Sequence, residues 1–418
     1  MNLISDRNPA PTLHPSTTPK TVLISGASIA GSVLAYWLDK FGFGVTVVER
    51  SGGPRGGGYP IDVRGPALTV LKHMQLLAEV RQQRLHTRRL SFVDDQGALI
   101  GALKMDDTES EEHDVELPRG ALTSLLCGRT LGSGVHYRFN DSIETLEQDG
   151  DTVSVTFQSG EPQRFDLVIG ADGMHSRTRE LTFGPETAFS VYLGYCFNGF
   201  SMSNLLHLSH EAITHASPGR TAVQFAVDDS NSVHAFLVYA SEKPTFTRTP
   251  DLSVQRNLVA RLFENEGWIV PQMVQALRNA DDLYADVVAQ IRMPAWSKGR
   301  VVLVGDAAYA PSFLTGQGTS LAMVGAYILA GELASHEDVE SACVAYEEKM
   351  RPYVEANQDL VDGGSSLLVP RTAEALNARN QMIAGMGGKE AGPAAEVQRS
   401  AYTALDLPDY RSWVRSTP

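Results

Sequence analysis

The chain has 418 residues, enough for about two to three domains, and its apolar share of 43% is that of an ordinary globular protein. A formal net charge of −14 weighs against nucleic acid and anionic membrane surfaces as partners. Cys127, Cys196 and Cys343 stand too far apart for a disulfide framework or a zinc cluster, which fits a reducing cytoplasm.

Residues 1–19, rich in Asn, Pro, Ser and Thr, read as a disordered tail without the apolar core of a signal peptide. Lys20 to Arg50 then carries the densest signal. A β-branched run, Val22 to Ile24, meets glycine at once; Ile29, Val33, Leu34, Trp37 and Leu38 share one helical face; and a second β run, from Val45, ends in Glu49. Strand, Gly-rich turn, helix, strand and terminal acid form a dinucleotide-binding unit. Gly26 turns the backbone off the strand, and Gly31 lets the helix pack on the sheet. The N–H groups around Ser28, Ile29 and Ala30 hold a pyrophosphate, and Glu49 accepts from a ribose. Ser28 stands where the G-x-G-x-x-G pattern has its middle glycine.

The Gly-rich stretch 51–59, containing Gly57 and Gly58 and ending in Tyr59, is either a surface loop or backbone lying against a ligand. A helix is predicted from about Pro66 to Leu85, a hairpin over 90–104, and a helix from about Arg119 to Thr130. Strands follow at 135–139, 143–147 and 152–157. A buried strand then runs into Asp172-Gly-Met-His-Ser-Arg177-Thr-Arg179, whose arginines are either surface charges or part of the motif. Short alternating runs (Val191–Phe200, Leu205–Ile213, Ala222–Val227, Val233–Tyr239) predict an antiparallel sheet of about four to six strands. Helices at about 251–264 and 271–280 precede an apolar strand ending in Gly305-Asp306 and a Pro/Gly loop, Pro311–Gly318. A helix over about 320–334 contains the longest apolar stretch, which is too short to span a bilayer. The remainder reads as helical, broken at Gly363-Gly364 and 385–388. His207, His210 and His215 mix both faces of a strand and lack a completing carboxylate, so no metal site is expected.

The ordered set Gly26/Gly31/Glu49, Asp172-Gly173 and Gly305-Asp306 with Gly316-Gln317-Gly318 resembles the class A, aromatic-hydroxylase-type FAD-dependent monooxygenases. Asp62-Val-Arg-Gly65, Trp296-Ser-Lys-Gly-Arg300 and Val324-Gly-Ala-Tyr-Ile-Leu-Ala-Gly-Glu332 bring it closest to the tetracycline-inactivating flavin monooxygenases. The resemblance implies an α/β fold: a Rossmann-like FAD-binding domain of the hydroxylase/glutathione-reductase type (20–89, 105–184, 281–338), an interleaved antiparallel-sheet substrate domain (90–104, 185–280) and a C-terminal helical region (339–418). It implies that Arg50, Gly57, Gly58, Arg64, Arg119, Asp172, Gly305, Asp306, Gly316, Gln317 and Gly318 join the Gly-rich turn in holding FAD. Thr319 and Ser320 stand where relatives often carry asparagine. Tyr59, Tyr195, Phe225, His234, Phe236, Phe313 and Leu314 would face the substrate, with no obligate acid–base residue and Arg64 and His234 as the nearest candidates.

The activity implied is hydroxylation of a bulky phenolic or polycyclic compound, a tetracycline or another aromatic polyketide, through a flavin hydroperoxide. O₂ and NADPH or NADH would be co-substrates. No second Gly-rich βαβ unit is present, so the nicotinamide would visit transiently, in a soluble monomer or homodimer. The alternatives are an FAD-dependent oxidase or dehydrogenase on the same fold, and a non-catalytic flavin- or aromatic-ligand-binding protein.

Overall fold

The computed structural model describes residues 20–54, 59–104, 114–245, 251–386 and 393–415. The tail 1–19 and Gly57 and Gly58 lie outside them. In chain order the elements begin β1 (Thr21–Ser25), α1 (Ile29–Phe41), β2 (Gly44–Glu49), β3 (Pro60–Val63), α2 (Pro66–His73), α3 (Leu77–Gln82), β4 (Arg89–Val93), β5 (Leu99–Lys104), β6 (Val115–Pro118) and α4 (Arg119–Gly128). Next come β7 (His136–Phe139), β8 (Ile143–Gln148), β9 (Val153–Phe157), β10 (Gly160–Phe165), β11 (Leu167–Gly170), α5 (Arg177–Phe183), β12 (Ser190–Ser203), β13 (Glu211–Ser217), β14 (Arg220–Ala226) and β15 (Ser232–Ala240). The last part contains α6 (Leu252–Leu262), α7 (Val270–Asn279), β16 (Tyr284–Ile291), β17 (Ser297–Lys298), β18 (Val301–Leu303), α8 (Asp306–Tyr309), α9 (Gly318–Ser335), α10 (Val339–Gln358), α11 (Val361–Leu368), α12 (Ala373–Met386) and α13 (Pro393–Tyr402).

A six-stranded sheet, β17-β18-β11-β1-β2-β7, is parallel except at β17/β18. Its central strands β1, β11 and β18 are almost wholly apolar and buried because both faces are covered. Val22 and Ile24 of β1 pack with α1 and α9, whereas Leu23 turns to the other face, against Val153, Val155 and Phe157 of a three-stranded sheet, β10-β9-β8. Helix α9 is buried along nearly its whole length between α1, α2 and α10. The stretch too short for a membrane is thus apolar because protein surrounds it. No helix among the described residues is long and apolar enough to cross a membrane.

The second layer is a seven-stranded sheet, β16-β12-β15-β14-β13-β4-β5, antiparallel except at β13/β4. Alternation sorts its side chains. Cys196, Phe200, Leu237 and Tyr239 face α6 and α7, while Tyr195, Phe197, Phe236 and Val238 face Leu314 and Val369. The chain becomes α/β because the dinucleotide unit supplies the parallel sheet and the alternating runs supply the antiparallel one.

Several expected elements differ. The helix expected over 66–85 divides at Gln75, whose φ is 57°, into α2 and α3. The run from Leu205 forms a strand only from Glu211; the preceding loop carries positive φ at His207 and His210. Gly363 and Gly364 lie inside α11 rather than breaking the chain there. Strands β6 and β10 were not expected. Strand β16, from the span grouped with the FAD-binding residues, pairs with β12 in the antiparallel sheet.

Candidate active site

Gly26 sits at φ 105°, where a Cβ would lie 2.5 Å from the carbonyl oxygen of Ala171; a side chain is excluded by both conformation and space. Gly31 is helical, but its Cβ would fall 1.9 Å from the Gly26 carbonyl oxygen, so the first turn of α1 rests directly on the loop. Ser28 caps α1 without a side-chain cap bond, leaving the first-turn N–H groups aimed out of the helix end. Ile29 and Ala30 are buried there. Arg119 Nη2 donates to Ser28 Oγ at 2.8 Å, bringing a cation to that end. Glu49 ends β2 buried. One of its oxygens accepts from Ala27 N–H at 2.9 Å, and the other accepts from the N–H and hydroxyl of Ser51 at 3.0 and 2.9 Å. It therefore shapes the turn at the end of β2. Arg50 is exposed beside it.

Opposite it, β18 ends at Leu303, Gly305 caps α8 at φ 66° and Asp306 opens that helix. Asp306 is exposed to solvent; the protein around it raises its carboxyl above the usual range and the Arg119 charge opposes that. No protein hydrogen bond or ion pair to this carboxylate is found among the described residues. A Cβ on Gly318 would lie 3.8 Å from its Oδ1, so Asp306 borders the start of α9. The loop between them begins at Ser312, a non-glycine residue at φ 77°, and carries Phe313, Leu314 and Gly316.

Gln317 is fully buried; its side-chain amide makes no well-formed hydrogen bond among the described residues, yet it lies close enough to the Tyr402 hydroxyl to work against the rise that burial imposes on that phenol. Above this loop Arg64 pairs with Asp62 at 3.0 Å and Asp114 at 3.2 Å, and donates to the Tyr402 hydroxyl at 3.2 Å. Its backbone N–H donates to Ser320 Oγ. Arg64 is thus tied to α13 and α9, a unit the sequence did not reveal because Tyr402 arrives from the far end of the chain.

The third wall is aromatic. Phe197 lies 5.5 Å from Phe236, 5.1 Å from Phe313, 6.1 Å from Tyr59 and 6.2 Å from Tyr284, measured between ring centroids. Tyr59, Phe236 and Phe313 were expected there; Phe197 and Tyr284 were missed. Tyr195, two residues before Phe197 on the same face of β12, is buried and accepts from Arg371 Nε at 2.9 Å. With Leu314 it lines a cavity of about 340 Å³ against α11. His234 opposes both Ser201 and Phe225 in neighbouring strands. Burial lowers its imidazole below the ordinary value, with Asp282 and Asp228 opposing, which favours the neutral ring near pH 7.

The Asp172 motif braces the turn into α5. Asp172 accepts from Ser176 Oγ and from the N–H and hydroxyl of Thr178, fixing the start of α5. Arg177 is an exposed partner of Glu180, whereas Arg179 is wholly buried and donates to the carbonyl of Ala307, directly after Asp306. Of the three histidines considered for metal, His207 and His210 lie in the loop before β13, and His215 is buried within 3.4 Å of Glu266.

A phosphate-ready helix end and an unpartnered carboxylate lie close together: a Cβ on Gly305 would fall 3.2 Å from that of Ala30, and Arg119 both donates to Ser28 and acts on Asp306. The profile of the FAD binding domain family matches residues 20–361. The chain belongs to the class A FAD-dependent monooxygenases. A flavin-dependent monooxygenase of an unknown prokaryotic organism is 37% identical over 402 residues, covering 94% of this chain and 99% of its own. An uncharacterized protein of Mycobacterium tuberculosis is 43% identical over 350 residues, covering 82% of this chain and 92% of its own. The crystal structure of tetracycline destructase Tet(55) is similar at a TM-score of 0.81 and 36% identity, covering 94% of this chain and 99% of that one.

The residues of this monooxygenase fit FAD. The close approach at Gly26 and Gly31 leaves the α1 end bare for a pyrophosphate, Arg119 supplies a cation, and Asp306 lacks the hydroxyl partner a ribityl chain offers. When bound, FAD supplies two-electron redox chemistry and the activation of O₂.

Proposed function

We propose that this monooxygenase consumes NADPH or NADH and inserts one oxygen atom into a bulky phenolic or polycyclic compound of the tetracycline or aromatic-polyketide type. The observation that carries the reading is the cluster of Tyr59, Phe197, Phe236, Tyr284 and Phe313 facing the recess at Asp306 and the start of α9. A wall of rings offers a planar ligand stacking and edge-on contacts worth about 0.5–1.5 kcal/mol per ring pair beyond area burial. The likeness to Tet(55), named a tetracycline destructase, supports the polycyclic class.

The chain's own residues bind and orient. Glu49 takes the ribose, Ser28 and Arg119 the pyrophosphate, Asp306 the ribityl hydroxyls, and the 313–318 backbone with Gln317 the ring system. Phe197, Phe236 and Phe313 exclude water from the reacting face, where fixed dipoles then act without screening. Neutral His234 offers the substrate one donor and one acceptor. Reductant binds without a domain of its own. Three buried, unpaired cysteines support a reducing cytoplasm, and a monomer or homodimer suffices for a site built within one chain.

The test loads the protein with FAD and follows NADPH and NADH oxidation with and without tetracycline, with mass analysis of the product. Substrate-stimulated oxidation and a product heavier by one oxygen support the reading. Peroxide with a dehydrogenated product assigns an oxidase or dehydrogenase; tight binding without turnover assigns a ligand-binding protein.

A further inference from the structure

We propose that Tyr284, fixed by Asp286 and His175, forms a subsite that accepts a hydrogen bond from a hydroxyl group of the aromatic ligand. This rests on the aromatic-substrate reading above and adds to it the polarity of one recognition point.

Tyr284 lies at the start of β16, opposite Gly199 of β12, and Phe236 opposes the same glycine from β15. The side chain that Gly199 lacks would lie 3.3 Å from the rings of Phe197 and Phe236, so the glycine lets these rings close over the strand beside Tyr284. The Tyr284 side chain is half exposed within the wall, its ring packed on Phe197, with Tyr59 and Asp306 close enough to help hold its proton on. Its hydroxyl donates to Asp286 Oδ2 at 2.5 Å. Asp286 is held in turn: Oδ1 accepts from Val287 N–H at 2.7 Å, and both oxygens lie 3.2 Å from His175 Nε2. His175 Nδ1 lies 3.0 and 3.1 Å from the oxygens of Glu186, which also accepts from Arg179 at 2.9 Å. An imidazole between two carboxylates carries a proton on both nitrogens, so both donate and Asp286 is held in place.

The consequence is directional. The one proton of the Tyr284 hydroxyl is committed to Asp286, so its oxygen meets the recess as an acceptor. Burial, with Asp286 beside it, raises the phenol above its ordinary value and keeps it neutral. A ligand O–H pairs with that lone pair. An ether or carbonyl oxygen in the same place meets it lone pair to lone pair, and both desolvated groups stay unsatisfied.

The experiment is equilibrium dialysis of the FAD-loaded protein with 2-naphthol and with 2-methoxynaphthalene at neutral pH. The native protein should bind the naphthol about tenfold more tightly, the worth of one satisfied buried hydrogen bond. Tyr284→Phe should bring the two affinities within about twofold, at unchanged flavin content. Asp286→Asn, whose amide donates to the phenol oxygen and frees its proton for the ligand, should turn the preference toward the ether. Native protein that binds both equally or neither, or a Tyr284→Phe variant that keeps the native ratio, overturns the proposal. Should Asp286→Asn fail to fold, Tyr284→Phe decides alone. If tetracycline is oxygenated while the naphthalene pair is not distinguished, the subsite falls and the monooxygenase reading stands.

Discussion

Gly31→Ala sets two effects of opposite sign against each other. On helix propensity alone, alanine in α1 should stabilise the protein by about 1 kcal/mol. The added Cβ, however, would sit 1.9 Å from the Gly26 carbonyl oxygen, where ordinary contact begins at 3.4 Å. The first turn of α1 must therefore retreat by about 1.5 Å, and because the opposing atom is backbone, no rotamer change relieves the clash. Overpacking of this kind costs about 1–3 kcal/mol, and with a rigid partner the upper end applies, leaving a net loss of about 2 kcal/mol. The retreat also carries the helix end away from the pyrophosphate. Losing one hydrogen bond to a charged group costs about 1.5–3 kcal/mol, so FAD affinity should fall at least about tenfold. Thermal unfolding of the apoprotein and titration with FAD measure the two effects separately. A variant with a native or higher melting temperature and native FAD affinity would refute the argument that the close approach outweighs propensity.

Three further outcomes are expected. Asp306→Ala should purify colourless or lose most of its flavin on dialysis, whereas Asp306→Asn, which can still hydrogen-bond a ribityl hydroxyl, should retain more; equal, full occupancy in both would remove Asp306 from the site. His175 is raised from its ordinary 6.5 to about 9 by the hydrogen bonds of Asp286 and Glu186. Its stabilisation, up to about 3 kcal/mol, is therefore fully present below about pH 6.5 and lost as pH rises through about 9, and His175→Gln should flatten that part of the stability–pH curve measured in urea. Gly364→Ala would place a Cβ 2.0 Å from the Leu314 carbonyl oxygen. It should shift the loop from Ser312 to Gly318 and lower flavin affinity while far-UV circular dichroism stays native.

What the sequence made legible was local. Strand, turn, helix and acid from Thr21 to Glu49 are contiguous, so spacing alone reveals the dinucleotide unit, and Gly305-Asp306 is recognisable because a buried strand feeds it directly. Phe197 and Tyr284 escaped notice because their meeting depends on the register between β12 and β16, separated by three strands and two helices. Strand β6 is short and contains Pro118, and it exists only because β3 lies alongside. Gly363-Gly364 reads as a break, yet its second glycine is there to let α11 touch the Leu314 carbonyl. Arg64 pairs with Tyr402 across nearly the whole chain, beyond the reach of any local pattern.

The centre of the parallel sheet joins β1, β11 and β18, whose residues begin at 21, 167 and 301. During synthesis on the ribosome the earliest of these strands waits for the last, and the 313–318 loop emerges later still. Loading of the flavin is therefore a late event, completed after most of the polypeptide has left the exit tunnel. Until then, first one edge of β1 and then one edge of β11 stays unpaired.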